Sequence, residues 1–396
     1  MTVSPRTPES WSPEYAAAVA RRRAMGLDPS IKTVQDWRRA ADASPTFPTP
    51  ANVKITPTEI PRAPVPQLDE SSTASGSLPA EWVEPVDAAP DAPVLLYAHG
   101  GWYCIGSPRT HRAITTNMAA RGVRVLSLDY RLADENPFPA PLVDAISAFR
   151  YVLGQGIPAS RIFLGGNSAG GNLTLVTAIY LRDQTTLPQL AGLLPIGPWT
   201  DLTCSSPTMH LGDEFEADTI ARGPEGTAMV TKAYCPDISK RSHPLVSPLF
   251  DDPVPGKPLP PTLALYSTLD RLFGEDAAYA LLRNDAGENV SVDVYVEQVH
   301  VFQNAPDLPQ SQICFDRMSS FITSVSSGPA LPAAAAELKV ILPDGSVMPA
   351  DAYGGFRLFR SELAGWTARA GLREKGKGDE KALERYDRAM SGPVGA

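Results

Sequence analysis

The segment Gly166-Asn167-Ser168-Ala169-Gly170 lies between an apolar run, Ile162-Phe163-Leu164, and a stretch of helical periodicity that begins at Ala169. A serine flanked at two residues' distance by glycines, between strand and helix, is held in a sharp turn where the two elements meet without Cβ clashes. Its hydroxyl is too weakly acidic to attack unaided. A base must lie within hydrogen-bond reach, and a third group must orient that base.

The chain has only five histidines. His99 and His111 precede the serine, and His210 and His243 fall in a turn-rich interval with no strand to deliver them. His300 closely follows the strand pattern SVDVYVE, at the carboxyl end where sites collect in open α/β sheets. It is the expected base. The preceding strand, TLALYS, is followed by Asp270, Glu275 and Asp276. Asp270 lies where a loop can aim it at a neighbouring loop, whereas the other two sit where a helix starts, a common place for carboxylates. Asp270 is therefore the expected orienting acid.

These residues need a scaffold. Strand and helix patterns alternate from residue 92 to about 325, which specifies a mostly parallel sheet with helices on both faces. A polar, turn-rich interval at about 200–250 reads as an insertion. Two helical patterns, about 13–25 and about 30–42, open the chain as an accessory element. The short patterns VKITPTEI and AEWVEPV suggest an antiparallel edge to the sheet. Residues 1–50, 51–326 and 327–396 thus divide into an N-terminal helical segment, an α/β core and an extension. The extension reads as partly ordered, with GFRLFRSELAGWTARAGL as one docking helix; a partner-binding element, or the contact of a homodimer, is the alternative.

Composition removes several classes. The 396 residues are 43% hydrophobic, as in a globular protein with a substantial core, and the formal net charge is -9 with no long basic run. No nucleic-acid partner is expected. No apolar stretch approaches the roughly 18 residues of a membrane span, and the N-terminus lacks a secretory pattern, so a cytoplasmic protein without stable membrane insertion is expected. Cys104, Cys204, Cys235 and Cys314 show no C-x-x-C pairing, and no histidine stands at metal-ligand spacing. No metal and no other cofactor is called for.

The segments His99-Gly100-Gly101, IGSPRTHR, LDYRLADENPFPAPLVDA, GNSAGGNL, GPWTDLT, HPLVSPL, PPTLALYSTLD and VHVF appear in an order and spacing that resembles the hormone-sensitive-lipase-like α/β-hydrolases, the HGGG-type carboxylesterases. The resemblance covers about 90–305. It implies an α/β-hydrolase fold with a helical cap built by residues 1–50 and 200–250. It implies Ser168, Asp270 and His300 as a catalytic triad acting on a small-molecule ester, with an amide, lactone or acetylated metabolite as alternative substrates. A non-catalytic receptor on the same scaffold is a further alternative, although such receptors lack part of the triad. The oxyanion would be held by the backbone N–H groups of Gly101, Trp102 and Ala169, with His99 and Gly100 supporting the loop.

Three residues depart from the family pattern: Asn167 replaces an Asp, Asp134 a Pro, and Trp102 the third glycine of HGGG. An oxyanion hole needs donors and not glycines as such. Trp102 is accordingly expected to take a negative φ and aim its N–H above Ser168, with its indole either lining the substrate pocket together with Tyr103 or packing beneath the loop.

Overall fold

In the computed structural model, residues 7–392 are described except 29, 44–45, 66–67, 69–75, 185, 213–214, 216, 221–222, 328–335 and 350–354. One ten-stranded sheet runs in the order β1 (Val53–Pro61), β2 (Ser77–Pro85), β4 (Arg124–Leu128), β3 (Val94–Ala98), β5 (Ile162–Asn167), β6 (Gly192–Ile196), β7 (Thr262–Ser267), β8 (Val290–Tyr295), β9 (Leu338–Ile341), β10 (Val347–Pro349). From β4 to β9 every neighbouring pair is parallel. β1, β2 and β10 add antiparallel edges.

The central strands are buried along their whole length, so they read as apolar runs and not as alternating patterns. Successive side chains still point to opposite faces. In β3, Val94, Leu96 and Ala98 join one core, whereas Leu95 and Tyr97 join the other. The first core is covered by α4 (Ala140–Gly154), α5 (Ala169–Gln184) and α7 (Phe273–Asp285). The second is covered by α1 (Pro13–Leu27), α3 (Arg112–Ala120) and α8 (Pro309–Ser327). α2 (Val34–Asp42) opens with a capping box made by Thr33 and Asp36. α6 (Gly223–Tyr234) belongs to the insertion.

The extension departs from its expected form. β9 pairs with β8, so the sheet runs on past residue 326. Beyond it come two helices, α9 (Phe356–Ala370) and α10 (Glu380–Ser391). The apolar faces of both turn inward: Phe359, Leu363 and Trp366 of α9 and Leu383 and Tyr386 of α10 are buried in the first core. α10 was hidden in the sequence by its charges, which occupy only its outer side. Among the described residues, no helix is long and apolar enough to cross a membrane.

Candidate active site

The carboxyl ends of β3, β5, β6, β7 and β8 open on one rim of the sheet, and each contributes a loop. β5 runs into Ser168, which takes a left-handed φ of 55° before α5 begins. Its N–H donates to Ile196 O at 2.8 Å, and its carbonyl accepts from Trp199 N and Asn172 N. Both flanking glycines are required here. A Cβ on Gly166 or Gly170 would run into the Ala98 carbonyl, so β5 and α5 could not approach β3 as closely.

Asp270 follows β7 and His300 follows β8. His300 Nδ1 stands 2.7 Å from Asp270 Oδ2, and both side chains are buried. The other carboxylate oxygen, Oδ1, accepts from Leu272 N at 2.9 Å, which fixes the carboxylate plane. Between β5 and β7, Gly197 (φ 45°) continues from β6. A Cβ there would lie 2.9 Å from Asp270 Oδ2 and 3.3 Å from His300 Nδ1. The His–Asp pair is thus packed against the residue next to Ile196, the backbone partner of Ser168. Among the described residues, neither Ser168 Oγ nor His300 Nε2 has a hydrogen-bond partner, and both residues are buried.

The other titratable groups take different parts. Glu275 Oε1 accepts from Thr200 N and Asp201 N, a brace for the loop after β6. Asp276 is fully buried, and neither of its oxygens has a partner among the described residues. Burial and the neighbouring carboxyls of Asp270 and Glu275 push it well above the ordinary carboxylate range. His210 Nε2 lies against Cys204 O, and His243 Nδ1 accepts from Leu245 N. Among the described residues, no group of three or more His, Cys, Asp or Glu side chains is suited to hold a metal ion.

The loop after β3 is held from several directions. His99 is buried and stacks on Tyr130 with ring centroids 4.2 Å apart, and burial pushes its imidazole down to about 4. Gly100 N–H donates to Asn167 Oδ1 at 3.1 Å and to His111 Nε2 at 3.3 Å, and a Cβ on Gly100 would overlap Asn167. Cys104 N and Ile105 N both donate to Gly101 O, closing the turn. Among the described residues, none accepts a hydrogen bond from the N–H of Gly101, Trp102 or Ala169.

A family profile described as alpha/beta hydrolase fold matches residues 95–304. A crystal structure of an esterase from the bacterial hormone-sensitive lipase family superposes with a TM-score of 0.67 at 30% identity, over 79% of this chain and 98% of that one. The chain belongs to the hormone-sensitive-lipase-like α/β-hydrolases. Among curated relatives, an acetyl-hydrolase of Streptomyces hygroscopicus is 35% identical over 255 residues, 63% of this chain and 81% of the relative. An ethyl acetate hydrolase of Pseudomonas putida is 32% identical over 224 residues, 54% and 68% of the two chains.

Each departure from the family pattern has a local physical account. Asn167 accepts from both Gly100 N–H and the Tyr97 hydroxyl through Oδ1, a task its amide oxygen performs as well as a carboxylate. Asp134 has φ 84°, which proline cannot adopt, and its carboxylate accepts from Gln35 of α2 at 2.6 Å. Trp102 corrects an expectation: its φ is 57°, not negative. The turn continues left-handed through Gly101, Trp102 and Tyr103, and contacts on either side hold it there. The Trp102 indole meets Trp199 edge to face at 4.9 Å. Tyr103 stacks on Tyr234 at 3.8 Å and donates its hydroxyl to Asn172 Oδ1 at 2.6 Å.

Tyr103 is therefore wholly buried and not a pocket wall, whereas Trp102 is half-buried at the loop surface. Sequence reasoning also missed Gly197 and Asn172. Asn172 Nδ2 donates to Trp199 O and Val246 O, tying α5 to the segment that follows β6 and to the insertion. Both residues stand inside quoted motifs, Gly197 in GPWTDLT and Asn172 in GNSAGGNL, and their motif membership was the available signal.

Proposed function

We propose that this protein hydrolyses carboxylic esters of short to medium acyl length through an acyl-enzyme on Ser168. The reading is carried by one observation: a buried Asp270 carboxylate on Nδ1 of His300, on the same rim as a serine in a strand-to-helix turn. Asp270 fixes the tautomer that leaves Nε2 as the acceptor and stabilises the imidazolium as the proton arrives. His300 takes the Ser168 proton, and Oγ attacks the ester carbonyl. The three unbonded N–H groups of Gly101, Trp102 and Ala169 receive the oxyanion, and the start of α5 adds its positive dipole end. His300 then returns the proton to the departing alcohol. Water, deprotonated by the same imidazole, releases the acid.

Small acyl groups are supported by the relatives named acetyl-hydrolase and ethyl acetate hydrolase. The test is hydrolysis of p-nitrophenyl esters from acetate to dodecanoate by the parent chain and by Ser168→Ala. The parent should be fastest at the short end, and the variant should fall by at least about 10³-fold. Equal rates for the two chains would end the esterase reading.

A further inference from the structure

His300 is gripped by the cap as well as by the core. Its N–H donates to Asp218 Oδ1 at 2.9 Å, and its carbonyl accepts from Arg22 Nη1 and from Thr219 Oγ1, each at 3.4 Å. Asp218 and Thr219 come from the insertion, and Arg22 from α1. The second oxygen of Asp218, Oδ2, accepts from Arg271 N at 3.0 Å, one residue past Asp270. A single buried carboxylate thus bridges the two loops that bear the His–Asp pair.

The rest of α1 reinforces the same place. Arg22 also donates to Val301 O at 3.3 Å, where the backbone is left-handed with φ 53°. Tyr15 donates its hydroxyl to Gln298 Oε1 at 2.7 Å, and the segment before α1 adds Trp11 Nε1 on Glu297 O at 2.6 Å. Arg22 is half-buried, and its charge faces the Tyr15 hydroxyl and the buried carboxylates of Asp218 and Asp270. The loop from 297 to 301 carries two left-handed non-glycine residues, Glu297 and Val301, and the core adds to this grip through Glu297 N on Thr268 Oγ1 at 2.8 Å and Leu269 N on Gln298 O at 3.0 Å.

We propose that Asp218 is a positioning residue of the triad, setting the His300 and Asp270 loops in register through their backbone N–H groups, with Arg22 closing the clamp from α1. Seating the cap and assembling the triad are then one event: a chain whose insertion is displaced has its serine but not its aligned base. The proposal rests on the triad reading above. It differs from a purely structural role in where the loss appears, because a misaligned base lowers the chemical step whereas a loosened cap lowers substrate binding.

The experiment uses the full chain and the variants Asp218→Asn, Asp218→Ala and Arg22→Gln. The readouts are kcat and KM on p-nitrophenyl acetate, the second-order rate of Ser168 labelling by a small fluorophosphonate, and thermal unfolding. The amide of Asp218→Asn keeps one acceptor oxygen for two loops, so kcat and the labelling rate should fall together by roughly 10-fold, with KM within about twofold; the alanine variant should fall by roughly 10²-fold. Arg22→Gln should fall in the same pattern, and with Asp218→Asn it carries the test if Asp218→Ala fails to fold. A raised KM with unchanged kcat and unchanged labelling would overturn the proposal. A parent chain unlabelled at Ser168 would instead overturn the triad reading, and the proposal with it.

Discussion

Asn167 Oδ1 lies 3.1 Å from Gly100 N and 2.6 Å from the Tyr97 hydroxyl, so the residue beside Ser168 also fixes the loop after β3. Asn167→Asp keeps an acceptor for both and should retain kcat within a few-fold. Asn167→Leu leaves the buried Tyr97 hydroxyl without its acceptor, costing about 1–3 kcal/mol, and leaves Gly100 N–H only its longer bond to His111 Nε2. Its kcat should fall by roughly 10²-fold as the proposed oxyanion donors lose their aim. Steady-state kinetics on p-nitrophenyl acetate would decide; equal losses in both variants would mean that the loop does not depend on this acceptor.

The choice among three carboxylates can be checked by rate. Asp270→Asn leaves His300 without its anionic partner and should lower kcat by roughly 10⁴-fold. Glu275→Gln keeps a carbonyl oxygen for Thr200 N and Asp201 N and should change kcat little. A larger loss in Glu275→Gln or Asp276→Asn than in Asp270→Asn would reassign the acid.

Asp276 predicts a pH effect on stability. Burial raises its carboxyl well above the ordinary range, so over the interval between its unfolded and folded values the unfolded chain releases a proton that the folded chain retains. Stability therefore falls as pH rises above about 4 through this interval and levels off above the folded value. Asp276→Asn should remove this contribution, raising the midpoint of urea unfolding near neutral pH and flattening its pH dependence. An unchanged or lower midpoint at pH 7 would show that the buried carboxyl is satisfied in the folded state.

Trp102→Gly separates backbone from side chain. Glycine relieves a left-handed φ worth about 1–2 kcal/mol, while loss of the edge-to-face contact with Trp199 costs about 0.5–1.5 kcal/mol. The melting temperature should therefore shift only slightly, and the change should appear as a broader acyl-length preference. A large drop in kcat on every ester would mean that the indole organises the loop itself.

Deleting residues 328–396 should damage the fold. Trp366 packs on Phe273 with centroids 5.2 Å apart, Tyr386 donates to Asp201 Oδ2 at 2.9 Å, and β9 covers the edge of β8. The shortened chain should expose Phe273 and a free strand edge and should aggregate on size-exclusion chromatography. A monodisperse product with the parent's melting temperature would show the extension to be dispensable.

Ser168, Asp270 and His300 lie far apart along the chain, and each was legible as a candidate only from its own short neighbourhood. The glycines around Ser168 mark a turn that only they permit, and histidine is rare enough here that strand ends alone singled out His300. Asp270 was separable from Glu275 and Asp276 by its distance from the helix start. The extension was less legible: three- and four-residue strands carry too little periodicity to announce themselves, and the outward charges of α10 masked a narrow apolar face.

By itself, the sequence determined the alternation of strand and helix, the strand-to-helix turn at Ser168 and the family, since each depends on residue types at short, fixed spacing. Tertiary structure alone decided the backbone of Trp102, where packing on Trp199 and the Tyr103–Tyr234 stack outweighs a local preference of a kcal/mol or two for negative φ. It alone brought Asp218 and Arg22 to His300, 82 and 278 residues away along the chain. No local pattern encodes such a meeting, because it depends on how the cap seats against the finished sheet.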